Sequence, residues 1–261
     1  LFGKKDDKTY NSEILEDVED ILKRLNVSNE NFHYIADSAL FTAENLKKAE
    51  GRNLKLITRM PETTNLAKDC IREALIHKNE MKKIELKTAQ DKVVEYFVSE
   101  KYCTYENTYL KCVTCYSTTL EGIKKKTIER QVKKEMELVE KLSKSYSKRP
   151  FACEEDANKE ILKLKKKDLK KLRYHTINIS TNVIEKRKRG RQPKDVSKIE
   201  NIHEHYLQIS IEIDEQKVQR QFEEACTFVL CSNDLTLKAE DILKEYKTQI
   251  GVEKKFQQLK S

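Results

Sequence analysis

The most informative spacing in this 261-residue sequence lies near its C-terminus, where Tyr246, Glu253 and Lys260 follow one another at intervals of seven. On a helix each residue turns about 100°, so residues seven apart are offset by only about 20° and share one narrow stripe, with Gln249 about 40° to one side. Val252, Phe256 and Leu259 form an adjacent apolar stripe, which puts Glu253 on the seam between a docked face and an open one. A carboxylate there is well held yet reachable by a divalent cation; the plainer reading is a solvated charge on an amphipathic helix. Far upstream, Asp37 ends the apolar run Phe32-His33-Tyr34-Ile35-Ala36. Ligands gather outside the carboxyl ends of strands in open α/β sheets, so Asp37 is a second candidate metal ligand. Its competing role is a helix N-cap, since it precedes Ser38-Ala39-Leu40. Mg²⁺ takes a few carboxylates together with water and phosphate oxygens, which one acid at a strand end and another on a facing helix would supply.

These residues need elements to hold them. Ser12 to Asn26 carries Ile14, Leu15, Val18, Ile21, Leu22 and Leu25 at helical spacing. The run 32–36 reads as a strand, Thr42 caps a short helix closing at Gly51, and 54–58 reads as a second strand, so a crossover with neighbouring parallel strands is predicted. Val93–Val98 and Tyr109–Tyr116 are β-rich, and Glu121–Tyr146 is a long helix. A charged helix over 154–172 is expected to form an antiparallel hairpin with it. Tyr174–Ile184 and His205–Ile213 alternate as strands, Thr227–Cys231 reads as a buried strand, and Ala239–Lys260 as the terminal helix.

The composition narrows the classes. Apolar residues make up 38% and charged residues 37%, and 52 Lys and Arg stand against 44 Asp and Glu, a net charge of +8 that suits a polyanionic partner. No apolar run approaches the roughly 18 residues of a membrane span. Seven cysteines, odd in number and irregularly spaced, read as reduced thiols in a cytosol. Five glycines and no phosphate-cradling motif argue against an ATP-dependent enzyme. Leu1 and a patterned helix running to the last residue suggest a piece of a longer protein.

Taken together, Tyr246-x2-Gln249-x3-Glu253-x6-Lys260, Ala36-Asp37-Ser38-Ala39-Leu40 and Ile57-Thr58-Arg59-Met60-Pro61-Glu62-Thr63 resemble the bacterial insertion-sequence transposases of the DDE type. More narrowly, they resemble the IS-four superfamily, whose signature is Tyr-x2-Arg-x3-Glu-x6-Lys. Asp7-Lys8-Thr9 also looks like the loop before the helix that precedes the second acid of this group. The resemblance implies an α/β fold, an RNase H-like core split by a large mixed α+β insertion. Its first part would span residues 1–64, the insertion 65–225, and the last part, with the Glu-bearing helix, 226–261. It implies metal-dependent cleavage and strand transfer on double-stranded DNA, at terminal inverted repeats and target, in the bacterial cytoplasm at the nucleoid, with no membrane and with room for a homodimer in the DNA complex. Two Mg²⁺ ions, or Mn²⁺ as substitute, would clamp the attacking and leaving oxygens of an in-line displacement. Asp37 and Glu253 would be catalytic metal ligands, and Arg59, Tyr246, Gln249 and Lys260 would hold phosphates. Two departures stand out. Gln249 replaces the signature Arg, and no residue fits the first catalytic acid, which is expected upstream of Leu1. The alternatives are a non-catalytic DNA-binding remnant that binds element ends or inhibits intact transposase, and a helical interaction protein with no DNA role.

Other signals are weaker. Lys186–Lys194 carries six cations around Gly190, and Arg187, Arg189 and Arg191 could enter a DNA minor groove or cover a solvated hairpin tip. Cys112-x2-Cys115 with Cys103 nearby lacks a second such pair, and reads as strand residues rather than a zinc site. His203-x-His205 lacks a third ligand.

With its first acid missing, the chain alone is expected to give neither hairpin formation nor strand transfer in Mg²⁺, and product on a sequencing gel would overturn this. If the six cations meet phosphates, log K for DNA should fall against log salt with a slope of about −5.

Overall fold

The computed structural model describes residues 7–26, 28, 32–87, 91–187 and 201–259, with residues 7–10, 19 and 250–259 described by backbone alone. The fold is mixed α/β and divides into two compact units, one of Leu1–Gly122 with Glu223–Ser261 and one of Ile123–Phe222.

The first unit is a six-stranded sheet of β1 (His33–Ala36), β2 (Lys55–Arg59), β3 (Lys82–Lys87), β4 (Val93–Tyr105), β5 (Thr108–Ser117) and β8 (Thr227–Ser232), in the order β1-β2-β8-β5-β4-β3. β1 and β2 are parallel, as the strand–helix–strand reading predicts, and every other pairing is antiparallel. The sheet is covered on both sides because its strands are apolar on both. On one face, Leu56, Leu110, Cys112, Val229 and Cys231 pack with α1 (Asp7–Leu25), α2 (Ala43–Gly51) and α3 (Asn65–Ile76) through Leu15, Leu46 and Ile71. On the other, Ile57, Tyr96, Val113, Phe228 and Leu230 receive Ile242, Leu243 and Tyr246 of α7 (Ala239–Leu259). All six residues of β8 are buried, as a strand with neighbours on both edges and helices on both faces requires.

Local chemistry sets the helix ends. Thr42 caps α2 by accepting from Asn45 N at 3.1 Å. The residue beyond α2 that takes the left-handed conformation is Asn53 (φ 52°), not the expected Gly51, and Leu54 N then donates to Ala49 O at 2.8 Å.

The second unit is built from α4 (Glu121–Tyr146), α5 (Glu154–Lys167), a two-stranded ribbon of β6 (His175–Arg187) and β7 (Asn201–Ile213), and α6 (Glu215–Ala225); α4 and α6 carry the chain out of the first unit and back. Val139, Ala157 and Leu164 of the helices share a core with Leu207 and Ile209 of the ribbon. Tyr146 Oη donates to Glu160 at 2.9 Å.

The expected boundary at residue 65 is corrected. Residues 65–122 belong to the first unit, because β3, β4 and β5 extend its sheet through β8. The second unit is the shorter, continuous stretch Ile123–Phe222, and the chain rejoins the first unit at Glu223 instead of residue 226. No described helix is long and apolar enough to cross a membrane.

Where β1, β2 and β8 meet at one end of the sheet, buried polar groups align the strands. Asn233 accepts from Leu56 N and donates to Leu54 O, both at 2.8 Å, so its side chain continues the pairing of β8 with β2. The Asp234 carboxylate, 5% exposed, receives His33 Nε2 at 3.1 Å and Lys55 Nζ at 3.0 Å, while Thr236 Oγ1 donates to it at 2.6 Å. Burial works against this charge, and the hydrogen bonds from Thr236, Lys55 and His33 more than offset it, holding the carboxyl well below its ordinary range. A depressed folded-state pKa contributes stability that is complete above the unfolded value of about 4 and is lost progressively as pH falls from there toward the lower folded-state value. Denaturant melts should therefore show stability falling below about pH 4, less steeply in Asp234→Asn. Asp234→Ala should cost about 2 kcal/mol at neutral pH, because it removes charge-assisted hydrogen bonds whose other partners keep some access to water.

Candidate functional site

Asp37 follows directly on β1, the edge strand of the first unit's sheet, and its side chain is exposed. The residues after it form a turn, not a helix. Asp37 Oδ1 accepts from Ala39 N at 2.9 Å, and Leu40 N donates to Asp37 O at 3.2 Å. The helix N-cap that the sequence offered as the alternative is not formed, because no helix starts here; the carboxylate closes a turn instead, which occupies one of its two oxygens. The turn is anchored from the neighbouring strand. Thr58 of β2, fully buried, donates its hydroxyl to Asp37 O at 2.6 Å.

Arg59 ends β2, one residue past the Ala36–Thr58 pair, so Asp37 and Arg59 leave the sheet at the same edge. Arg59 is ion-paired with Glu62, and its guanidinium lies 5.4 Å from the centroid of the Phe228 ring. A second cation shares that ring, since Lys247 Nζ of α7 is 4.7 Å from the same centroid and 5.2 Å from that of Tyr96. A ring face attracts a cation through its quadrupole, so Phe228 holds two positive groups beside the end of β2.

These contacts define the course of α7. Glu240, in its first turn, lies 3.9 Å from Lys82 at the start of β3. Seven residues later Lys247 has reached Phe228, next to Arg59. The helix thus runs from the β3 side of the sheet toward the edge where β1 and β2 end. Compared with known proteins, the chain matches no family model, no curated protein and no solved structure. The site therefore rests on its own residues.

Of the expected phosphate-holding stripe, Tyr246 is corrected. It is 7% exposed and packs in the core beneath α7 with Ile242 and Leu243. Its ring is the large apolar body that continues the docked face of the helix, so it supports the site from below instead of meeting solvent. Gln249 is half-buried on α7. Glu253 belongs to α7 by its backbone, its side chain lies outside the described residues, and so does the whole of Lys260. Arg187 is exposed at the last pair of the β6–β7 ribbon, opposite Asn201, whereas Arg189 and Arg191 lie outside the described residues.

Three groups of this neighbourhood went unread in the sequence: Lys247, Phe228 and Glu62. Glu62 could have been found, three residues after Arg59. The other two are joined to Arg59 by a strand pairing and a helix docking that no local spacing encodes. Thr58→Val keeps shape and removes the hydroxyl that anchors the Asp37 turn; it should cost about 1 kcal/mol in urea denaturation. Hydrogen exchange at Ala39 and Leu40 should rise with it.

Proposed function

We propose that this chain belongs to an insertion-sequence transposase of the DDE type, in which the first unit is part of the RNase H-like catalytic core. One observation carries the reading: the helix that bears Glu253 heads for the sheet edge where Asp37 stands. Beyond Lys247 the backbone continues six residues to Glu253, about 9 Å along the axis at the rise of an α-helix. Asp37 and Glu253 would then share a pair of Mg²⁺ ions, while Arg59 and Lys247 hold a phosphate beside them. When bound, the ions would supply Lewis-acid clamping of the attacking and leaving oxygens.

The distribution of charge supports a nucleic-acid partner, and the positive excess lies in the second unit. Ile123–Phe222 holds 27 Lys and Arg against 16 Asp and Glu, leaving 25 against 28 of the chain's 52 and 44 for the rest. The second unit therefore carries +11 and the first −3. Its ribbon ends in Arg187, and near that end Val183, Ile184 and Ile202 are 41–50% exposed, so both strands are open to solvent. A two-stranded ribbon is narrow enough to enter a DNA groove, and a basic one gains affinity by releasing counterions. A non-catalytic end-binding remnant is the second reading, favoured by Gln249, which stands where the transposase signature has a phosphate-binding Arg. DNA binding is common to both, and metal binding separates them.

Titration calorimetry should show Mg²⁺ or Mn²⁺ uptake that Asp37→Asn and Glu253→Gln each abolish, with salt-dependent DNA binding left intact. Unchanged uptake in both variants would sink the catalytic reading. DNA affinity independent of salt would sink both.

A further inference from the structure

All seven cysteines are free thiols, and six are buried. The Cys112-x2-Cys115 pair is not a unit, because residues three apart on a strand face opposite ways: Cys112 lies in the core under α1–α3 and Cys115 in the core under α7. Cys112 instead meets two thiols from elsewhere. The ligand atoms of Cys70, Cys103 and Cys112 all lie within 4.8 Å of one another, and the sulfurs of Cys70 and Cys103 are 3.9 Å apart. Two sulfurs each about 2.3 Å from one zinc at the tetrahedral angle are about 3.8 Å apart, whereas a disulfide needs about 2.0 Å. The three residues come from α3, β4 and β5. Cys231 of β8 is the direct cross-strand partner of Cys112 and belongs to the same core. Its Sγ now donates to Thr58 O at 3.6 Å, a weak bond that a metal–sulfur bond would replace.

We propose that Cys70, Cys103 and Cys112, completed by Cys231, form a structural zinc site that ties α3 to three strands of the sheet. Thiolates are soft donors and select Zn²⁺ over Mg²⁺ or Mn²⁺, and four protein ligands leave no open position for substrate. On coordination the thiol protons pass to solvent. The ammonium of Lys101, two residues before Cys103 on β4 and ion-paired with Glu73, would offset part of the resulting negative charge. The site is independent of the function proposed above: it lies on the opposite face of the sheet from α7, and its donor chemistry differs from that of Asp37 and Glu253.

The test uses the full chain, purified under reducing conditions, stripped with a chelator and reloaded with Zn²⁺. One zinc per chain is expected, with zinc-edge X-ray absorption fitted by four sulfurs at about 2.3 Å. Co²⁺ in its place should give thiolate charge-transfer absorption and the strong visible bands of a tetrahedral ion. Cys103→Ser and Cys112→Ser should lose both signals, and Cys115→Ser should keep them. Failure of the reduced wild-type chain to take up zinc, or a first shell of oxygen and nitrogen, overturns the proposal whether or not the variants fold. Equal loss in Cys115→Ser overturns it as well. Three sulfurs with one lighter ligand would remove Cys231 from the site.

Discussion

Strand β8 is the element on which the first unit depends, because both halves of its sheet are hydrogen-bonded to it. β2 pairs with one of its edges and β5 with the other. Without it the parallel pair β1–β2 and the meander β3–β4–β5 would be separate ribbons with open edges and half-covered cores. Burial of all six β8 residues favours this arrangement. Two or more of its large side chains, Leu230 and Phe228 among them, contribute on the order of 2–3 kcal/mol each on removal from water. The polar groups just after it, Asn233 and Asp234, choose the register by meeting the starts of β1 and β2.

The same strand relates the parts of the candidate site. Phe228 belongs to β8, and its ring is where Arg59 from β2 and Lys247 from α7 come together. The edge of the sheet that carries Asp37 is thus joined to the terminal helix through one aromatic side chain. Asp37 itself is held across the strands by the Thr58 hydroxyl on its carbonyl and locally by Ala39 N on its carboxylate, so its position follows from the β1–β2 register together with its own turn. Separate materials are used for separate tasks: a slightly acidic sheet unit holds the carboxylate, and a strongly basic unit carries the charge that suits a polyanion.

Much of this was legible where it is local. The apolar stripe of α4 gives Glu121–Tyr146 from spacing alone, and Thr42 marks the start of α2 because its hydroxyl has an amide to cap. α3, β3 and α6 went unread for physical reasons. The buried positions of α3 include Ala67, Cys70 and Ala74, too small to stand out as a stripe. β3 has only two apolar residues, Ile84 and Leu86, among lysines and a glutamate, an alternation too short to stand out, and α6 has no buried residue at all. The placing of β4 and β5 in the first unit could not be read, because it depends on pairs such as Cys112 with Cys231, more than a hundred residues apart. Tyr246 misled for a related reason. Its hydroxyl suggested a polar stripe, while its ring does the packing.

The late position of β8 also has a bearing on synthesis. A ribosome delivers β1, β2 and the β3–β5 meander well before Thr227, so the nascent chain carries two sheet fragments whose inner edges have no partner until β8 has been made. The stretch Ile123–Phe222, being continuous, can condense in the meantime. Unpaired edges and uncovered apolar faces are what draws chains into aggregates or toward chaperones. Messages cut short before Thr227 should therefore yield insoluble product, and holding chaperones should crosslink to the waiting edges of β2 and β5.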